Sequence, residues 1–280
     1  WFSVADTIQS VVMEDGVTSI GESSFYGCSN LTSVTIPDSV ATIGESAFYK
    51  CSGLINAAFS GSVTTIGNYA FYGCSSLTGV AIPDSVTGIG DFAFSGCSSL
   101  TSIVIPTGVT SIGTSAFSGC NLQSIVVAEE NSNYCAENGA LFNKDKTELY
   151  GYFGGTDQTE YQIPDSVTGI GDFAFAGRSS LTSVTIRNSV ITISQYAFEN
   201  CLGLTSITIP EDVTTIGECA FMGCSSLTSI AIPERVTSIG NGTFSGCSSL
   251  TSVTIPVSVT TIEGYAFSGC SSLTDVTYNG

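Results

Sequence analysis

The thirteen residues IPDSVTGIGDFAF occur twice, at 82–94 and again at 163–175. A chain that writes one segment twice is assembled from copies of a unit, and a fixed period constrains the fold more tightly than any local propensity. Prolines stand at Pro37, Pro83, Pro106, Pro164, Pro210, Pro233 and Pro256, and cysteines at Cys28, Cys51, Cys74, Cys97, Cys120, Cys201, Cys224, Cys247 and Cys270; most neighbours in each series are 23 or 46 residues apart. The duplicated segment is offset by 81, three periods plus twelve, so the coil spanning 128–163 carries about a dozen extra residues.

One unit, 83–105, reads PDSVTGIGDFAFSGCSSLTSIVI. Its last apolar positions alternate, which points Ile103 and Ile105 inward from a strand and turns Ser102 and Val104 outward. The proline that follows stops the ladder, because it has no N–H to donate. A glycine precedes the cysteine in most copies, at Gly27, Gly73, Gly96, Gly119, Gly177, Gly223, Gly246 and Gly269, and predicts a backbone position of positive φ ending a short helical turn. Lys50 and Asn200 depart from that pattern. A lone unit buries too little apolar surface to offset the entropy of ordering its backbone, so units must stack, sharing a core and continuous ladders.

Composition removes several function classes. The 280 residues carry 24 acidic and 6 basic side chains and no histidine, a net charge of −18 that repels phosphate backbones and anionic lipid surfaces. Nucleic acid is therefore not an expected partner. No apolar run approaches the roughly eighteen residues of a membrane-spanning helix. The chain opens on Trp1 without an initiator methionine or a charged leader, the expectation for a trimmed piece.

At this point the pattern I-P-x-S-V-T-x-I-G-x-x-A-F-x-G-C-S-S-L-T-S-V, present over nearly the whole chain, resembles the BspA-type leucine-rich repeat family. The segment GALFNKDKTELYGYF at 139–153 resembles the enlarged coil that interrupts such arrays, and VVMEDGVTSIG from Val11 resembles the family's first coil. The resemblance implies an α/β-type repeat solenoid: a right-handed array with one parallel β-sheet face, and short strands, turns and helical turns on its other sides. The expected organisation is one solenoid over 1–280, with a partial coil at 1–13, an enlarged coil with a β-hairpin insertion at 128–163, and regular coils elsewhere. The resemblance also implies an extracellular or cell-surface protein that binds a protein or a cell-surface glycan, and adhesion is the associated role. A non-catalytic spacer or stalk within a larger surface protein is the alternative.

The candidate contact positions follow from the strand alternation. Outward residues of the strand face are small and nearly uncharged, represented by Thr35, Asn56, Ser102, Val104, Thr185, Thr208 and Thr254. Such a face is either a binding strip or an inert spacer wall. The enlarged coil adds Phe142, Tyr150, Tyr152 and Phe153, four aromatics that read either as a contact site or as local packing. Open ladder edges make end-to-end self-association a further expectation, with Trp1 and Phe2 as cover at the first coil.

Nine of the eleven cysteines share one slot, which predicts a buried row of thiols rather than bridges, since parallel strands lie about 4.8 Å apart and a disulfide needs Cβ atoms about 3.8 Å apart. Cys135 and Cys219 lie outside that slot. Arg178 occupies it in one coil, where a buried guanidinium would be costly, so that slot is expected to open to solvent. Catalytic look-alikes dissolve on inspection. The G-x-G-x-x-A run at 88–93 is a repeat turn, and Asn143, Asp145 and Thr147 begin a calcium-loop pattern that lacks its glycine and final glutamate. No catalytic residue, metal site or cofactor is expected, and the chain is not read as an enzyme.

Overall fold

The computed structural model describes residues 5–279; Trp1 and Phe2, expected to cover the first coil, lie outside the described residues. The chain divides into two compact units, Trp1–Gly139 and Ala140–Gly280. Each is a β-solenoid of leucine-rich repeat type. In the first unit Ser33–Thr35 pairs in parallel with Asn56–Ala58, matching Ser33 to Asn56 and Thr35 to Ala58. Across the next corner Thr42–Ile43 pairs with Thr65–Ile66, again in parallel and again shifted by one period. The second unit repeats both ladders: Ser183–Thr185 lies on Ser206–Thr208, and Thr192–Ile193 on Thr215–Ile216. The partial first coil contributes Ser10–Val12, which pairs with Ser33–Thr35.

Proline makes the corner between the two walls. Its carbonyl accepts from the residue three positions on, as in Val40 N–H to Pro37 O at 3.0 Å and Val86 N–H to Pro83 O at 3.0 Å. That turn drives the following valine inward, and Val40 and Val86 are fully buried.

The third wall corrects the sequence reading. Helical turns were expected there, yet the only helix among the described residues is the 3₁₀ turn Ala5–Thr7. The reason lies in where the N–H groups go. Those of Ser23, Phe25 and Gly27 donate to Glu45, Ala47 and Tyr49 of the next coil at 2.9, 2.8 and 2.7 Å, while those of Ser24, Tyr26 and Cys28 bond three residues back within the coil. An α-helix needs every N–H for a carbonyl four residues back, so a segment that lends alternate donors to its neighbour cannot be one. The backbone manages this with two left-handed residues per turn, Ser23 at φ 54° and Gly27 at φ 71° in this coil. The glycine slot keeps that conformation even at Lys50 and Asn200, with φ 55° and 53°. The α/β description is thereby replaced by an almost purely β architecture.

Inside each unit the phenylalanine of the turn wall stacks on its equivalents. Phe25, Phe48, Phe71, Phe94 and Phe117 follow one another at centroid distances of 5.2, 5.1, 5.3 and 5.8 Å. In the second unit Phe175, Phe198, Phe221, Phe244 and Phe267 do the same at 4.9, 5.2, 5.6 and 5.4 Å. The cysteine row runs beside them. All eleven cysteines are thiols, and those of the row hydrogen-bond as well as pack. Cys51 Sγ donates to Phe25 O at 3.0 Å and Cys74 Sγ to Phe48 O at 3.2 Å, and Cys201 and Cys224 repeat the contact at 3.1 Å. Cysteine is a small hydrophobe with a weak donor, which suits a buried slot facing a carbonyl.

The enlarged coil begins in the first unit at Asn131, which is fully buried and fully used. Its Nδ2 donates to Pro106 O at 2.7 Å and Val109 O at 3.0 Å, and its Oδ1 accepts from the N–H groups of Asn133 and Tyr134. In the second unit the hairpin is present: Ala140–Asn143 pairs antiparallel with Glu148–Tyr152, with an irregularity between Leu141 and Phe142. Asn143 builds its turn, accepting from Thr147 N and Glu148 N at 2.8 and 2.9 Å and donating to Thr147 Oγ1 at 2.8 Å. Leu149 then pairs with Ile170, returning the chain to the two-residue ladder, and Glu160–Gln162 resumes the longer one against Ser183–Thr185.

Candidate functional site

The strand face is assembled from the outward half of each pleat. In the first unit Thr35, Asn56, Ser102 and Val104 are all exposed while Val34, Ala57, Ile103 and Ile105 between them are buried. Parallel register sets them in rows: Thr35 beside Ala58 and Ala58 in turn beside Ala81, and Val104 beside Val126. In the second unit Thr185 and Thr208 are neighbours, and Thr254 lies between Ala231 and Thr277. Flanking threonines behave differently, because their hydroxyls are spent on the preceding coil. Thr32 donates to Gln9 O, Thr78 to Ile55 O and Thr205 to Thr182 O, at 3.1, 3.2 and 3.3 Å. The strand face is thus a set of short, solvated side chains on a rigid hydrogen-bonded sheet, edged by threonines that stitch coil to coil.

The four aromatics of the hairpin do not gather on the surface. Phe142 is fully buried, and Tyr152 and Phe153 are 3% and 7% exposed. Strict alternation would leave Tyr152 on the exposed side with Tyr150, but the strand ends there and the Tyr152 N–H turns to Ala174 O of the next coil at 2.7 Å. Tyr152 stacks on Phe175 with centroids 5.6 Å apart and meets Tyr161 at 4.3 Å. Phe153 receives the guanidinium of Arg178, 5.8 Å from its centroid. That contact explains how an arginine occupies the cysteine slot: the side chain is half-buried, its stem in the wall and its head against an aromatic face. Of the four, Tyr150 is the one left outward, 42% exposed. Burial and the nearby Glu148 hold its hydroxyl above the usual tyrosine range. Burial, with Asp172 adding like charge, also holds the Glu148 carboxyl above the carboxylate range.

A second group of aromatics lies on the turn wall of the first unit, where the sequence reading singled out nothing. Tyr26, Tyr49 and Tyr72 follow the core phenylalanine in three successive coils and stack at 4.7 and 4.8 Å. Tyr69 and Phe92 form a parallel pair at 5.1 Å, and Tyr69 also meets Tyr49 and Tyr72 at 6.5 and 5.9 Å. Tyr26 is exposed and the other four are half-buried. The available signal was the period itself: lining up the coils places tyrosine at positions where other coils have Ser95 and Ser118.

The family model described as "BspA type Leucine rich repeat region (6 copies)" matches residues 1–123, 64–143 and 150–274. The chain belongs to the BspA-type leucine-rich repeat family. Solved structures agree with that membership. A leucine-rich repeat protein from Eubacterium ventriosum ATCC 27560 is 34% identical with a TM-score of 0.91, over 99% of this chain and 74% of that one. A leucine rich cell surface protein from Faecalibacterium prausnitzii A2-165 is 36% identical with a TM-score of 0.83, over 98% and 79% of the two chains. The pneumococcal vaccine antigen PcpA, 22% identical with a TM-score of 0.80 over 96% of this chain and 68% of its own, shares the fold. No curated protein matches the chain. Among the described residues of this BspA-type protein, no helix is long and apolar enough to cross a membrane.

Proposed function

We propose that this chain is a non-catalytic binding module, displayed at or secreted from a bacterial cell surface, that engages a protein or a surface glycan through its strand face. The observation that carries this reading is the outward row of the parallel ladder. Small side chains such as Thr185 and Thr208 stand exposed on strands whose inward residues are fixed in the core. A rigid face of short side chains lets a partner approach the backbone closely and loses little side-chain entropy on binding. Family membership supports the reading, as does a relative described as a cell surface protein.

Surface plasmon resonance against extracellular-matrix proteins and a glycan array tests it. Binding that is lost in Thr185→Arg/Thr208→Arg, with the far-UV spectrum unchanged, is the expected result. Flat traces for every probe, or binding indifferent to those substitutions, would overturn the strand-face assignment. A spacer role is the second reading, favoured by the near-identity of the coils, with one thirteen-residue segment present twice.

A further inference from the structure

We propose that the tyrosine columns on the turn wall of residues 1–139 form a docking surface for a basic protein segment bearing arginine or lysine side chains. This surface lies on a different wall from the strand face and stands or falls independently of it. Three observations converge.

First, the aromatic residues are set where the backbone does not favour them. Tyr69 and Phe92 adopt φ of 56° and 54°, a left-handed conformation in which a bulky side chain is an outlier, while the same slot holds Ser23, Ser46 and Ser115 in other coils. Phe173 and Tyr196 occupy the same slot in the second unit at φ 56° each and stack at 4.6 Å, so rings in this conformation come together as half-buried pairs. Second, the charge of this unit favours a cation. Residues 1–139 contain eleven carboxylates against one lysine and no arginine, and Glu22, Glu45 and Asp91 immediately precede the left-handed slot in three of these coils. Third, the single lysine already lies against the column: Lys50 Nζ is 5.4 Å from the centroid of Tyr49. A cation against an aromatic ring, on a unit whose charge is strongly acidic, is the arrangement an incoming guanidinium would extend.

The test uses the full chain and a dodecapeptide of alternating arginine and glycine, titrated calorimetrically at physiological salt. Replacing Tyr49, Tyr69 and Tyr72 together with serine copies the residues that other coils carry at these slots and leaves net charge unchanged. The variant is expected to bind at least ten-fold more weakly with an unaltered far-UV spectrum. If the triple change perturbs the spectrum, Tyr69→Ser alone is read, since Tyr69 meets three of the other rings; a several-fold loss is expected. Val104→Ser/Val126→Ser on the strand face should bind like the parent chain. Equal affinity in parent and tyrosine variants would show attraction by net charge alone and overturn the proposal. So would loss confined to the strand-face variant, or binding of a neutral hexasaccharide, instead of the peptide, that depends on the tyrosines.

Discussion

At Gly177 an added Cβ would meet nothing within 4 Å, yet φ is +72°, so the preference for glycine there comes from backbone conformation alone. Gly177→Ala is expected to lower stability by about 1–2 kcal/mol, the cost of placing an L-residue in the left-handed region, and Gly177→Asn by less. Urea denaturation of the two variants measures this. The buried thiols make a second residue-scale prediction. Burial, with Cys28 adding for Cys51, pushes Cys51 and Cys201 up to about 12 from an ordinary 9.0. A folded-state value raised above the unfolded one means that the native chain holds protons the unfolded chain releases. Their stabilising contribution is therefore complete below pH 9 and is lost as pH rises towards 12. The urea midpoint should hold level on the neutral side and fall across that window; a midpoint rising through it would contradict the assignment. The glycine slot was legible in the sequence because only glycine marks positive φ openly. The slot four residues earlier was not, since Ser46, Tyr69, Phe92 and Cys219 share its conformation and nothing in their chemistry announces it.

Among elements, the phenylalanine column is the strongest candidate for a single point of failure. Phe221 is fully buried between Phe198 and Phe244, and Phe221→Ala is expected to cost about 3–5 kcal/mol through lost burial and an unfilled cavity. Thermal or urea unfolding checks it; a loss under about 1 kcal/mol would mean that the coils can close over the gap. The hairpin depends instead on one polar side chain. Asn143→Ala removes the acceptor for Thr147 N and Glu148 N, and hydrogen exchange at those two amides should quicken while exchange in Ser206–Thr208 is unchanged. Strands and hairpin could be read from period-two alternation and from the extra dozen residues. The third wall could not, because a six-residue segment that looks helical by composition is decided by its neighbour's carbonyls. The inward turn of Phe142, Tyr152 and Phe153 was hidden for a similar reason: an aromatic hairpin reads the same whether its rings face the core or the solvent.

At the scale of the molecule, the repeat is the cause and every wall is its consequence. Each coil leaves donors and apolar faces that only another coil, one period away, can satisfy, as Thr87 Oγ1 does in bonding Thr64 O and Cys97 Sγ in bonding Phe71 O. The net charge of −18 was legible from composition, but the stacking of Tyr26, Tyr49 and Tyr72 into one column emerges only once the coils are wound. The most direct test of this account is deletion by whole and half periods in the second unit. Removing 188–210, one full period, should leave a chain that unfolds cooperatively with a native-like far-UV spectrum, because each remaining ladder finds an equivalent partner. Removing 188–198 should abolish that cooperativity, since strand would face turn. Equal tolerance of both deletions, or equal collapse, would contradict the claim that coils are interchangeable layers held in one register.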